Sequence, residues 1–253
     1  MPGAPVLSAN ASIKMGAGIV YLSSIRFHPA IVPEIIQIPI KSREGHINSQ
    51  HYDEIIPFIS TSDAIVIGPG MGKDLETLLF IRRVVLENLS KKWIIDADAI
   101  GAFNLNDELS NNITLTPHTG EFLRFFNNTN ENTTDWFTLL TQATEHLKCN
   151  ILLKGPTTII TDGTTFYLNN FGNPGMATAG TGDVLTGIIA ANVAKNTKYN
   201  PQELSLLQVV AYSSLIHSLS ADNYVYNSGD VNINMETLTA TDIINNIKNI
   251  QFS

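Results

Sequence analysis

Four short runs in the middle of the chain are largely apolar: Ala64-Ile65-Val66-Ile67, Trp93-Ile94-Ile95, Ile113-Thr114-Leu115-Thr116 and Asn150-Ile151-Leu152-Leu153, and all but the threonine-bearing third lack alternation. A strand with one wet face alternates polar and apolar residues. A strand that does not alternate is buried on both sides, and a sheet of such strands is parallel with helices on both faces. The intervening segments supply those helices. Asp74 to Leu89 carries Leu75, Leu78, Leu79, Ile81, Val84 and Val85 at helical spacing, and Trp136 to Leu147 reads the same way. The expected class is therefore α/β, with a mainly parallel central sheet in a three-layer arrangement. Right-handed crossovers bring all strand C-terminal ends to one edge, where ligands bind in such sheets.

Other elements surround this core. Pro5 to Met15 reads as a helix stopped by Gly16 and Gly18, and its small residues suggest close approach of another backbone or a ligand. Ile19 to Leu22 and Glu34 to Ile40 read as strands, and Tyr52 to Ile59 as a helix. Thr157 to Thr161 and Thr164 to Asn169, joined by Asp162-Gly163, predict a hairpin. Pro201 to Tyr224 predicts a long apolar helix and Thr241 to Ile250 a closing one. No repeat, low-complexity tail or linker interrupts the pattern, so one domain over residues 1–253 is expected.

Composition removes several function classes. The 253 residues are 43% hydrophobic, enough for a substantial core, yet no run of about 18 apolar residues offers a membrane span. The formal net charge is −8 and Lys and Arg form no block, which argues against a nucleic-acid groove. A single cysteine, Cys149, excludes an internal disulfide, and with no secretory signal visible the expected compartment is cytoplasmic.

Every unusual loop falls at the expected ligand edge. Gly68-Pro69-Gly70-Met71-Gly72 follows the first apolar strand and lets backbone approach a ligand closely. Asp96-Ala97-Asp98 follows the second; these acids could hold Mg2+ through water or orient a phosphate, or else act as turn and cap acids. Pro117-His118-Thr119-Gly120-Glu121 follows the third, with His118 a ligand contact or cap partner and Glu121 a member of a capping box. Lys154-Gly155-Pro156 follows the fourth, and Lys154 could meet a polyphosphate as a point charge. Finally, Asn173 to Gly182 is a Gly-rich, turn-forming stretch that opens an Ala-rich helix. It aims free backbone N–H groups at one point, an anion seat backed by the helix dipole. Asp183 stands there as either a first-turn cap acid or a base beside a bound phosphate. His28, His46, His51, His146 and His217 lie in no comparable setting and receive no role.

Taken together, Met1-Pro2-Gly3-Ala4-Pro5, Gly68 to Gly72, Asp96 to Ala99, Leu115 to Phe122, Leu153-Lys154-Gly155 with Thr158, and Ala179 to Gly187 occur in an order that resembles the nucleotide-dependent NAD(P)H-hydrate dehydratases. These are metabolite-repair enzymes of the ribokinase-like superfamily. The Thr116 to Phe122 segment and the Ala179 to Gly187 run are the more specific parts. The resemblance implies a ribokinase-like fold. It implies dehydration of hydrated NADH and NADPH, driven by ADP or ATP with Mg2+. It places Ala4, Gly70, His118 and Asp183 at the hydrated cofactor, Lys154, Gly155, Pro156, Thr157, Thr158 and Gly182 at the adenine nucleotide, and Asp183 as the catalytic acid/base. A functional link to an NAD(P)H-hydrate epimerase and a homo-oligomeric state are expected as well. The family carries a first strand and Gly-rich turn upstream of the Met-Pro-Gly-Ala segment, so either a truncated chain or a sheet lacking that strand is expected. The competing readings are a ribokinase-like kinase for a vitamin-precursor alcohol and a nucleotide-binding remnant without catalysis.

Overall fold

A computed structural model describes residues 2–126, 135–199, 203–227 and 234–250. Helix α1 (Ala4–Lys14) precedes two short strands, β1 (Tyr21–Ser24) and β2 (Ile36–Pro39), and helix α2 (Tyr52–Thr61). Strand β3 (Ile65–Ile67), helix α3 (Leu75–Leu86), strand β4 (Trp93–Ile95), a 3-10 segment (Ala97–Ala102) and strand β5 (Ile113–Leu115) follow. Helices α4 (Thr119–Phe126) and α5 (Trp136–Leu147) then lead to β6 (Asn150–Leu153), β7 (Thr158–Thr161) and β8 (Phe166–Asn169). The chain closes with α6 (Thr181–Tyr199), α7 (Leu206–Asn227) and α8 (Ala240–Asn246).

The main sheet has six strands in chain order, β3 to β8; β3 to β6 are parallel, and β7 and β8 form the antiparallel hairpin. Because consecutive parallel strands always step the same way, right-handed crossovers put all their connections on one face. That face packs Ile95, Ile113, Ile151 and Leu153 against Phe80, Val84, Phe122 and Leu140 of α3, α4 and α5. The other face, carrying Ile94, Leu152 and Ile160, is covered by Leu185, Ile189, Leu207 and Val210 of α6 and α7, which the chain adds after the sheet is complete. Adjacent residues of β4 and β6 thus point into different cores, which is why these strands show no alternation.

The strands expected at 19–22 and 34–40 form as β1 and β2, which pair in parallel as a separate sheet against α1. Two elements differ from the sequence reading. The closing segment is α8 followed by a 3-10 turn, Ile247–Asn249, not one helix. The long helix begins at Leu206, and Pro201, its expected start, lies outside the described residues, as does Met1.

The small residues of α1 meet another backbone. Ser8 Oγ and Thr186 Oγ1 are 3.0 Å apart, and Ser12 Oγ donates to the Gly187 carbonyl at 3.0 Å. A Cβ on Gly187 would lie 2.1 Å from the Ser8 carbonyl oxygen and 2.9 Å from Ala11 Cβ. Gly187→Ala must therefore force α1 and α6 apart. Overpacking of this kind costs about 1–3 kcal/mol, measured as a lower midpoint in urea. Gly101→Ala, where nothing lies within 4 Å of the added Cβ, should leave the midpoint nearly unchanged.

Candidate active site

The ends of β3 to β6 gather the loops singled out in the sequence. After β3, Gly68, Gly70 and Gly72 all have positive φ. Gly68 is obligatory, since a Cβ there would meet the Asp96 carbonyl oxygen at 1.8 Å. The Gly72 N–H donates to Asp98 Oδ2 at 3.0 Å, so Asp98 braces this turn.

Asp96 is 2% exposed and does not cap the 3-10 segment that follows it. Its Oδ1 instead accepts from Lys154 Nζ at 2.7 Å and from Thr116 Oγ1 at 2.8 Å. The three side chains come from the ends of β4, β5 and β6. Lys154 is further fixed by its backbone, whose N–H donates to the Pro117 carbonyl at 2.8 Å, and residues 118 and 154 form a parallel bridge. The point charge expected for an anion is thus already partnered and held in place by a buried carboxylate.

The anion turn faces this pair. Gly180 has φ +92, and a Cβ on Gly182 would lie 3.3 Å from Lys154 Nζ. The ammonium therefore sits directly beside the first turn of α6, where the free amides point. Thr181 Oγ1 ties the turn together by donating to the carbonyls of Met176 and Thr178. Asp183, 8% exposed, lies in the first turn of α6, where an acid favours the helix dipole, yet its side chain makes no capping hydrogen bond among the described residues. Burial, then the negative charge of Asp96, raise its pKa to about 6 against the opposing pull of Lys154. Ionising it therefore costs stability as pH rises from its ordinary value through about 6. It is a carboxylate poised to accept a proton near neutrality.

His118 is the cap partner of α4. Its Nδ1 accepts from the N–H groups of Gly120 and Glu121 at 3.0 and 3.2 Å, and Glu121 Oε2 accepts from the His118 N–H at 2.9 Å. With Nδ1 accepting, the ring proton is on Nε2, and the half-exposed ring offers a donor at the rim. Gly155, Pro156 and Thr157 are exposed beside it, and Thr158 opens β7. Ala4 opens α1 one turn ahead of Leu7, which packs on Gly180; Gly70 lies across the edge in the turn after β3.

Two participants carried no assignment in the sequence. Thr116 supplies the second hydrogen bond to Asp96, and its signal was a hydroxyl at the end of a buried strand. His217 of α7 lies close enough to Lys154 and Thr181 for each to act on its ionisation. The signal there was a polar ridge, Ser213, Ser214, His217, Ser218 and Ser220, within an otherwise apolar helix.

Among the described residues, no group of three side chains with metal-ligand spacing lies at this edge. Asp96 Oδ1 is occupied by an ammonium and a hydroxyl, and Asp98 Oδ2 by a backbone N–H. Among the described residues the group with metal-ligand spacing is Glu44, His46 and Glu76, and none of these belongs to the loops above.

The family model for NAD(P)H-hydrate dehydratase matches residues 1–247 of this chain. The chain belongs to the NAD(P)H-hydrate dehydratase family. A bifunctional NAD(P)H-hydrate repair enzyme of Dictyoglomus turgidum is 33% identical over 255 residues, which cover 96% of this chain and 46% of the relative. The chain thus spans about half the length of the curated relatives it matches. Among solved structures, a ribokinase-like superfamily protein of Enterococcus faecalis superposes with a TM-score of 0.76 at 27% identity, covering 98% of this chain and 81% of that one. An ADP/ATP-dependent NAD(P)H-hydrate dehydratase of Bacillus subtilis shares the fold at a TM-score of 0.72, with 24% identity and coverage of 98% and 86%. The dehydratase fold is the ribokinase-like one expected from the sequence.

The Lys154–Asp96 pair gives a stability prediction for this family member. Lys154→Met leaves a buried carboxylate without its cation, which costs about 3–5 kcal/mol. The double variant Lys154→Met/Asp96→Asn should recover most of that loss in chemical denaturation.

Proposed function

We propose that residues 1–253 form one dehydratase domain that returns hydrated NADH and NADPH to NADH and NADPH, with ADP or ATP as phosphoryl donor. The observation that carries this reading is Asp183: a buried, unbonded carboxylate with a raised pKa, one residue beyond an anion turn that holds Lys154 beside it. Kinase-type chemistry requires a phosphate seat and a base side by side, and this is that arrangement.

Asp183 takes the proton from the hydroxyl of the hydrated ring. The oxygen forms a bond to the terminal phosphorus of the nucleotide as the bond to the departing ADP or AMP breaks. The amides of Thr181 to Asp183, with Lys154, stabilise the transferring group. The ring nitrogen lone pair then expels phosphate with cleavage of the C–O bond, and loss of a proton from the neighbouring carbon restores the dihydropyridine. Hydroxide, a poor leaving group, has been exchanged for phosphate.

In this reading Ala4, Gly70 and His118 line the hydrated cofactor, with His118 donating from Nε2. Lys154, Gly155, Pro156, Thr157, Thr158 and Gly182 take the nucleotide. Mg2+ accompanies the nucleotide's phosphates, held in addition by one or two carboxylates through water, for which Asp96 and Asp98 are the candidates. The bifunctional repair enzymes among the relatives support a functional link to an NAD(P)H-hydrate epimerase. A homo-oligomer and a cytoplasmic site complete the proposal; no helix among the described residues is long and apolar enough to cross a membrane.

The test offers hydrated NADH and hydrated NADPH, each with ADP or ATP, and follows the absorbance of the restored cofactor together with free phosphate. Both should rise in step, and a stable phosphorylated product would point to a small-molecule kinase instead. Asp183→Asn should lower kcat at least about 100-fold, within the usual contribution of a general base. In the wild type the rate should fall as pH drops below about 6, where Asp183 gains its proton.

A further inference from the structure

Asp222, toward the C-terminal end of α7, takes no part in the proposed chemistry. Both of its carboxylate oxygens are nevertheless committed to one short segment, the start of the Gly-rich stretch that opens α6. Oδ2 accepts from the Gly172 N–H at 2.8 Å, and Oδ1 from Asn173 Nδ2 at 2.9 Å. Two neighbouring N–H donors need a partner with two acceptors and no donor, which a carboxylate is and an amide is not. Asn173 is buried and held from its other end as well, because its Oδ1 accepts from the Gly175 N–H at 3.1 Å.

This contact is the first link in a continuous chain of hydrogen bonds that ends at the anion turn. Asn173 caps the 3-10 turn Pro174–Met176, and the Met176 N–H returns to the Asn173 carbonyl at 3.0 Å. The Met176 carbonyl accepts from Thr181 Oγ1 at 2.8 Å, and the Thr178 carbonyl accepts from the same hydroxyl at 3.1 Å. Thr181 is the first residue of α6. Through Asp222, α7 therefore grips one end of a loop whose other end aims free amides at the anion seat. N–H dipoles that converge on one point repel one another until an anion sits between them. A turn held in that shape before the ligand arrives does not have to be reordered on binding.

We propose that Asp222 and Asn173 are positioning residues for the nucleotide: as a clamp on residues 172–178 they keep the anion turn preorganised, so that breaking the clamp weakens ADP and ATP binding in the folded protein. The inference rests on the nucleotide reading of the site and deepens it. A carboxylate that only anchored a surface loop would change the urea midpoint and leave the affinity of the folded protein as it was.

The experiment measures ADP and ATP affinity by titration calorimetry, alongside urea midpoints, for the wild type, Asp222→Asn, Asn173→Asp and the exchange Asn173→Asp/Asp222→Asn. In Asp222→Asn an amide faces two donors and satisfies one of them; in Asn173→Asp two carboxylates face each other. Each single variant should bind nucleotide about tenfold more weakly. The exchange leaves net charge unchanged and keeps all three hydrogen bonds, one of them reversed. The amide now at position 222 accepts from the Gly172 N–H and donates to the carboxylate at position 173, whose second oxygen still accepts from the Gly175 N–H. The exchange should therefore recover most of the affinity. Folded single variants with wild-type affinity overturn the inference and leave the function untouched, as does an exchange that restores the midpoint without the affinity. A wild-type protein that binds neither nucleotide removes the nucleotide reading itself, and this inference with it. Should the single variants not fold, Thr181→Val, which cuts the chain of hydrogen bonds at its other end, and Thr181→Ser, which keeps the hydroxyl, decide. The valine variant should bind about tenfold more weakly and the serine variant close to wild type, and a valine variant with wild-type affinity contradicts the proposal.

Discussion

The Lys154–Asp96 contact organises this molecule's working edge. It spans β5, joining the ends of β4 and β6, and Thr116 of the strand between them donates to the same oxygen. One interaction therefore sets the distance across three strands, places an ammonium beside the anion turn and puts a negative charge near Asp183. The last effect is chemical. A lone buried aspartate is already reluctant to ionise, and a second carboxylate nearby makes it more so. Lys154 limits the rise, so Asp183 stays usable as a base near neutrality.

The site is assembled from both layers of the fold. The sheet and its one-sided crossovers supply Gly68 to Gly72, Asp96, Thr116, His118 and Lys154. The other layer supplies the α6 turn and the α7 ridge. The two halves are held in register by the packing of Leu185, Ile189, Leu207 and Val210 on Ile94, Leu152 and Ile160, and by the satisfied network between Asn169 of β8 and α7. A site shared between layers responds to the packing of both.

Much of this was legible in the sequence because burial writes itself into composition. The non-alternating runs at Ile65, Trp93 and Ile151 read as strands covered twice, and their ends marked the ligand edge; the Ile113 run alternates with threonine, and only its burial in the structure shows it covered on both faces. The small residues of α1 likewise announced a close backbone approach. What was not legible depended on pairings across distance. Asp96 looked like a cap acid and Lys154 like a free charge, because no local pattern shows that residues 58 positions apart will meet. Asp183 was ambiguous for a related reason: first-turn acids usually cap, and only the three-dimensional environment shows this one unbonded.

The central claim is that Asp183 is a lone buried base whose proton affinity is raised by burial and by Asp96. The most direct measurement is a 13C NMR titration of the Asp183 carboxyl carbon in the wild type and in Asp96→Asn. The account predicts a midpoint near 6 in the wild type and a lower one in the variant. A wild-type midpoint in the ordinary aspartate range, near 3.9, would contradict it.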